Sequence, residues 1–201
     1  MNQKYQILLF YCYEEIKDTE TFKSDHHLFC IENNIKGRII ISSEGINGTV
    51  SGLKEDCDKY RKELINKGLF SDIDFKIEEY HKNAFKKINV RIKNEIVNSG
   101  LTKKKLLKKK GKYIEPSEFK KIIENTPENI TILDVRSNYE HNIGKFKNAM
   151  TLDIDNFREF PQKISEIKKK VKKSNKIITY CTGGVKCEKA VSSHSMRILN
   201  Q

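Results

Sequence analysis

Tryptophan is absent, proline occurs only three times, and none of the 201 residues lies in a run approaching the ~20 apolar positions that a membrane-crossing helix needs. A basic start followed by an apolar stretch and a cleavage site is missing as well, so a cytosolic protein with no membrane partner is expected. Cysteine is scarce: Cys12, Cys30, Cys57, Cys181 and Cys187 form an odd set without scaffold-like spacing, which excludes a disulfide framework and predicts reduced thiols. The five histidines show no spacing with cysteines or carboxylates that makes a metal site, so no metal or resident cofactor is expected. Acidic residues are in deficit, 27 Asp and Glu against 39 Lys and Arg, for a formal net charge of +12. Such a field attracts polyanions and makes nucleic acid a candidate partner. Lysine carries most of that charge, and with Ile and Asn also plentiful an AT-rich gene explains the composition equally well.

What is present divides into two patterned blocks around a basic run, and the chain length suits two small domains. Residues 5–13 read as a buried strand, and Asp18 or Thr19 caps a helix toward Asn34 with Phe22, His26, Phe29 and Cys30 at helical spacing, closed by Gly37. Residues 38–42 form a second strand. The motif Glu44-Gly45-Ile46-Asn47-Gly48 then supplies the left-handed backbone of a hairpin, with the return strand starting at residues 49–51. Leu53, Cys57, Tyr60 and Leu64 mark a helix closed by Gly68, and residues 74–77 alternate as a strand. Strand, helix, strand, strand, helix, strand is the order of a ferredoxin-like α+β domain, assigned to residues 1–97, with residues 85–97 an extended segment leading out.

Residues 98–112 read as a basic linker containing Lys103, Lys104, Lys105, Lys108, Lys109 and Lys110. Residues 113–201 read as a second domain. A helix opens at Pro116, residues 130–133 and 176–180 are short apolar strands, and residues 156–173 are helical in two pieces broken at Pro161. Strands alternating with helices predict an α/β open parallel sheet, where ligands sit beyond the carboxyl ends of strands.

Cys181 stands at such an end and opens Cys181-Thr182-Gly183-Gly184-Val185-Lys186-Cys187. A free cysteine, with a pKa of roughly 8.5, is mostly protonated in a cytosol, and only the thiolate is a nucleophile. Gly183 and Gly184 let successive backbone N–H groups turn inward as an anion nest, and a helix starting near Lys186 or Cys187 adds its own unpaired N–H groups. A lone cysteine at a strand end would be a packing residue. Strand, Gly-Gly turn and helix together point to a reactive cysteine cradled by Thr182, Gly183, Gly184, Val185 and Lys186. Cys187 either resolves an oxidised or persulfidated Cys181 or packs behind the nest. A cysteine-loop phosphatase wants Arg at this sixth position to clamp phosphoryl oxygens, so Cys187 argues against that chemistry.

Asp134-Val135-Arg136, Tyr139-Glu140, Gly144-Lys145-Phe146 and Ala149, followed by the Cys181 loop, resemble successive landmarks of a rhodanese domain. Over nearly the whole chain, the order Glu44-Gly45-Ile46-Asn47-Gly48-Thr49, Gly111-Lys112-Tyr113-Ile114-Glu115-Pro116, Phe157-Arg158-Glu159-Phe160-Pro161 and the cysteine loop with Glu188-Lys189-Ala190 resembles the rhodanese-domain tRNA uridine hydroxylases. That resemblance implies oxygen-dependent hydroxylation of the wobble uridine of tRNA to 5-hydroxyuridine, with molecular oxygen as co-substrate, tRNA as partner and Cys181 as the catalytic, persulfide-forming cysteine. Alternatives of other classes are a sulfurtransferase moving sulfane sulfur to an acceptor and an inactive, truncated RNA-binding member.

The resemblance also raises Glu44, Gly45, Asn47 and Gly48 from a plain hairpin turn to a secondary substrate site. The six linker lysines become candidate phosphate contacts, against the ordinary reading of a charge run as solvated linker. Lys186 stands where the family usually has Arg, which keeps the charge and loses the planar two-point grip. A rhodanese-like domain normally follows this helix with one more strand after a Gly-rich turn. None is evident in residues 191–201, so a C-terminally truncated sheet is expected.

Overall fold

Alternation of apolar side chains along β1 (Tyr5–Cys12) sets the first sheet, since Leu8 and Phe10 are buried while Tyr5, Ile7 and Leu9 on the other face are half-buried. In the computed structural model, which describes residues 4–66, 68–101, 112–125, 127–172, 175–192 and 196–199, β1 is flanked by β3 (Gly45–Leu53) and β4 (Asp74–Tyr80), both antiparallel to it. Beyond β3 come β2 (Lys36–Ser42), antiparallel to it, and β5 (Ile88–Ile92), parallel to β2, for a sheet order β4-β1-β3-β2-β5. Two helices, α1 (Thr19–Glu32) and α2 (Lys54–Asn66), place Cys30, Cys57, Tyr60 and Leu64 in one core with Leu8, Phe10, Ile39, Ile41 and Val50. Asp18 caps α1 by accepting from the Thr21 N–H at 3.0 Å. The ferredoxin-like order is present, and residues 85–97 contribute a fifth strand to it, because Val90 is buried between half-buried Ile88 and Ile92.

Two glycine assignments change. Gly37 does not close α1; Asn34 takes the left-handed conformation there, at φ 53°, and Gly37 lies inside β2, where a Cβ would stand 2.3 Å from the Thr49 carbonyl oxygen. Gly48 is likewise no hairpin tip. It sits within β3, where a Cβ would come within 2.7 Å of the Phe10 ring, so the site calls for absent volume rather than a turn.

The chain divides after Ile96 into a second unit, Val97–Gln201, with a wholly parallel sheet. Its order is β6 (Lys112–Ile114), β10 (Met196–Leu199), β9 (Lys176–Tyr180), β7 (Ile130–Asp134) and β8 (Met150–Thr151). The helices are α3 (Pro116–Asn125), α4 (Asn138–Ile143), α5 (Phe160–Lys170) and α6 (Val185–Ser192). One core gathers Leu133, Phe160, Ile167, Cys187, Ala190 and Ile198, and another Ile114, Phe119, Ile132, Ile178 and Tyr180. Cores on both faces explain why β7 and β9 read as unbroken apolar runs.

The strand expected to be missing is there. β10 lies between β6 and β9 and pairs with both, with Ile198 fully buried. Its four residues carry an arginine and follow α6 closely without a glycine-rich turn, so neither length nor pattern announces a strand.

Candidate active site

Cys181 follows β9 directly and α6 begins at Val185, so the sulfur sits where the carboxyl end of a central parallel strand meets a helix start. The residue is 3% exposed, and the Gly184 N–H donates to its Sγ at 3.1 Å. Gly184 adopts φ 89°, the left-handed conformation that folds the loop back over the sulfur. The Cys187 thiol donates to Cys181 and is its strongest partner. Burial opposes ionisation, but with the N–H groups of Gly183, Cys187 and Lys186 also donating, the Cys181 pKa comes down to about 6. Cys187 is fully buried, and burial, followed by the neighbouring Cys181 sulfur, pushes its own thiol well up. Thr179 Oγ1 donates to Cys187 Sγ at 4.0 Å, so Thr179, Cys187 and Cys181 form a line of donors ending on one thiolate.

The outer wall of the loop is built on α4. Ser137 and Glu140 form a capping box at its start, with Glu140 Oε2 accepting from Ser137 Oγ at 2.7 Å and from the Ser137 N–H at 3.1 Å. The same carboxylate accepts from Thr182 Oγ1 and from Lys186 Nζ, each at 2.6 Å. Burial raises the Glu140 pKa, yet the bonds from Lys186, Thr182 and Ser137 outweigh it and hold the carboxyl down to about 2. Lys186 therefore serves the sulfur through its backbone N–H while its ammonium is spent on Glu140. Glu140 was named in the sequence only as a family landmark; the Ser137 and Glu140 spacing of a capping box is the signal that marks its position.

Behind the loop, buried Asp134 receives Arg136 Nε at 2.9 Å, one Arg136 terminal nitrogen at 2.7 Å and the Tyr180 hydroxyl at 2.6 Å. The Arg136 guanidinium lies 5.2 Å from the Tyr180 ring centre and donates to the Gly144 carbonyl at 2.6 Å, while the Phe146 N–H donates to the Tyr180 hydroxyl at 3.3 Å. These three residues thus hold residues 144–146 against the end of β9. On α6, fully buried Lys189 donates to the Val97 carbonyl at 3.0 Å.

Thr182, Gly183, Gly184, Lys186 and Cys187 all touch Cys181 or brace its loop, and Val185 starts α6. Within the first unit, Glu44 Oε1 accepts from the Ile96 N–H at 2.8 Å, and Asn47 Nδ2 donates to the Ile96 carbonyl at 2.9 Å. Glu44 and Asn47 thus fasten the chain after β5, while Gly45 and Gly48 belong to β3. The six linker lysines lie outside the described residues. Among the described residues, no cluster of three or more His, Cys, Asp or Glu is placed to hold a metal ion, and no helix is long and apolar enough to cross a membrane.

Residues 5–96 match the family described as UPF0176 acylphosphatase like domain, and residues 115–199 match the Rhodanese-like domain family. The chain is 50% identical over 186 residues to the tRNA uridine(34) hydroxylase of Cytophaga hutchinsonii, covering 92% of this chain and 58% of that protein. It is 48% identical over 186 residues to that of Staphylococcus haemolyticus, covering 92% and 57%, and 44% identical over 187 residues to that of Enterococcus faecalis, covering 92% and 58%. The chain thus spans less than two thirds of the length of these curated relatives. Along its own length, a match to the UPF0176 acylphosphatase like domain is followed by a match to the Rhodanese-like domain.

Proposed function

We propose that this chain carries the catalytic site of a tRNA uridine hydroxylase, converting the wobble uridine to 5-hydroxyuridine at the expense of molecular oxygen, with Cys181 as the reacting group. The observation that carries this reading is the Cys181 thiolate in its backbone nest, in a chain half identical to a protein named for that activity. A tRNA substrate assigns the reaction to the cytoplasm. Inserting one oxygen atom into the C5–H bond and releasing the other as water needs two electrons and two protons. A thiolate and a thiol closing to a disulfide supply the two electrons and one proton, with the second proton drawn from water, and Cys181 with the thiol that hydrogen-bonds it is such a pair. In this reading Cys187 has two duties: its S–H holds the thiolate before turnover, and its sulfur resolves Cys181 afterwards. An external reductant then restores the two thiols. The linker lysines supply phosphate contacts without reading sequence.

The test is to incubate unmodified tRNA with the purified chain in air and analyse the nucleosides by mass spectrometry. Gain of one oxygen at uridine, absent in Cys181→Ser, is expected. Gain of sulfur would replace hydroxylation with sulfur transfer, for which the same nest would hold a persulfide, and an unchanged nucleoside would leave a binding function.

A further inference from the structure

The α4 helix turns Glu140 toward the cysteine loop and leaves Tyr139 and Ile143 outside, 68% and 88% exposed. They are four residues apart and so lie side by side on one helix face. Large apolar side chains exposed together beside a reactive site are the kind of feature that a binding surface presents. The platform is rigidly mounted: Arg136 holds the Gly144 carbonyl, the Phe146 N–H is held by Tyr180, and the Phe146 ring packs edge-on against Phe119 and Tyr180. Lys145 and Lys147, both exposed, flank Phe146 at this end of the helix. At the other end Asn138 donates to Asp153 and Asp155, each at 3.0 Å, which holds these two carboxylates at the helix start.

An aromatic ring, an aliphatic neighbour and two lysines at one end fit a strand of unpaired nucleotides, whose bases stack and whose phosphates seek cations. An enzyme acting on a base must draw it out of its stack, and the neighbouring bases then need a replacement surface. We infer that Tyr139 and Ile143 form a stacking platform for a nucleotide adjacent to the reacting uridine in the anticodon loop, with Lys145 and Lys147 on its phosphates. This inference rests on the tRNA reading of the Cys181 site and adds the surface by which the loop is held.

The experiment measures binding of an anticodon stem-loop RNA with an unmodified wobble uridine to the chain, by fluorescence anisotropy over a range of salt. Tyr139→Ala should bind about tenfold or more weakly and Tyr139→Phe nearly as wild type, from the usual strength of base stacking on an aromatic ring. Paired Lys145→Gln and Lys147→Gln changes should flatten the slope of log affinity against log salt by about 1.4, from ~0.7 per single-strand phosphate. The ultraviolet titration of the Cys181 thiolate should be the same in all the Tyr139 and lysine variants, which shows that the site is intact. If wild type binds the stem-loop and Tyr139→Ala binds equally well, the platform is overturned while the tRNA reading stands. Absence of stem-loop binding by wild type overturns both. Loss of self-association in Tyr139→Ala with RNA affinity unchanged would reassign the surface to a protein partner.

Discussion

At the scale of single residues, the site turns on which donors face one sulfur. The Cys181 thiol is depressed from the ordinary cysteine range to about 6, so the thiolate should dominate at neutral pH and kcat/KM should fall as the pH drops through about 6. Cys187→Ala removes the strongest donor and should move that inflection upward, whereas Cys187→Ser keeps a donor and should move it less; a pH series of ultraviolet thiolate absorbance reads both. Without added reductant, Cys187→Ser should also lose turnover that wild type retains for a single cycle. Retention of that cycle would remove the resolving role. Glu140 works in the same direction: with its folded pKa about 2 and its ordinary value 4.5, its ionised form stabilises the fold above 4.5, and the contribution fades as the pH falls toward about 2. Glu140→Ala strips Thr182 and Lys186 of their partner and should cost about 1–3 kcal/mol at neutral pH while flattening the acid limb, as followed by urea denaturation at several pH values.

At the scale of elements, β10 decides whether the second sheet is one body. Ile198 is fully buried between neighbouring strands, so Ile198→Ala should cost about 2–5 kcal/mol in denaturant unfolding. An equal change at exposed Ile143 should cost little. Strand β9, the Gly-Gly turn and α6 were legible in the sequence because an apolar run, two glycines and a helical segment each have a local signature. Strand β10 was not, since four residues with an arginine gain strand geometry only from the partners on both sides. Glu44 and Asn47 show the same limit. Their spacing suggested a turn, but their partner is Ile96, some fifty positions away in sequence, and no local pattern reports a hydrogen bond of that range. Glu140 falls between these cases: its capping box is local, whereas its bonds to Thr182 and Lys186 exist only in the folded domain.

For the whole molecule, the tRNA reading together with the net charge of +12 predicts RNA binding that weakens steeply with salt. Replacing the six linker lysines with glutamine should reduce the salt slope for tRNA by about 4–5, from ~0.7–0.9 per phosphate neutralised, with little change in the Cys181 titration. An unchanged slope would return those lysines to the role of a solvated linker.

The place of β10 has a further consequence, for the order in which the second domain can be assembled. β6 and β9 have no bonds to each other in this sheet; each pairs with β10, which leaves a ribosome after both of them. Until then β9, β7 and β8 can form only a partial sheet whose edge at β9 is open, and open edges invite pairing with other chains. The thiolate nest hangs from the end of that same β9, so a pause before Met196 would leave the reactive sulfur on an unfinished scaffold.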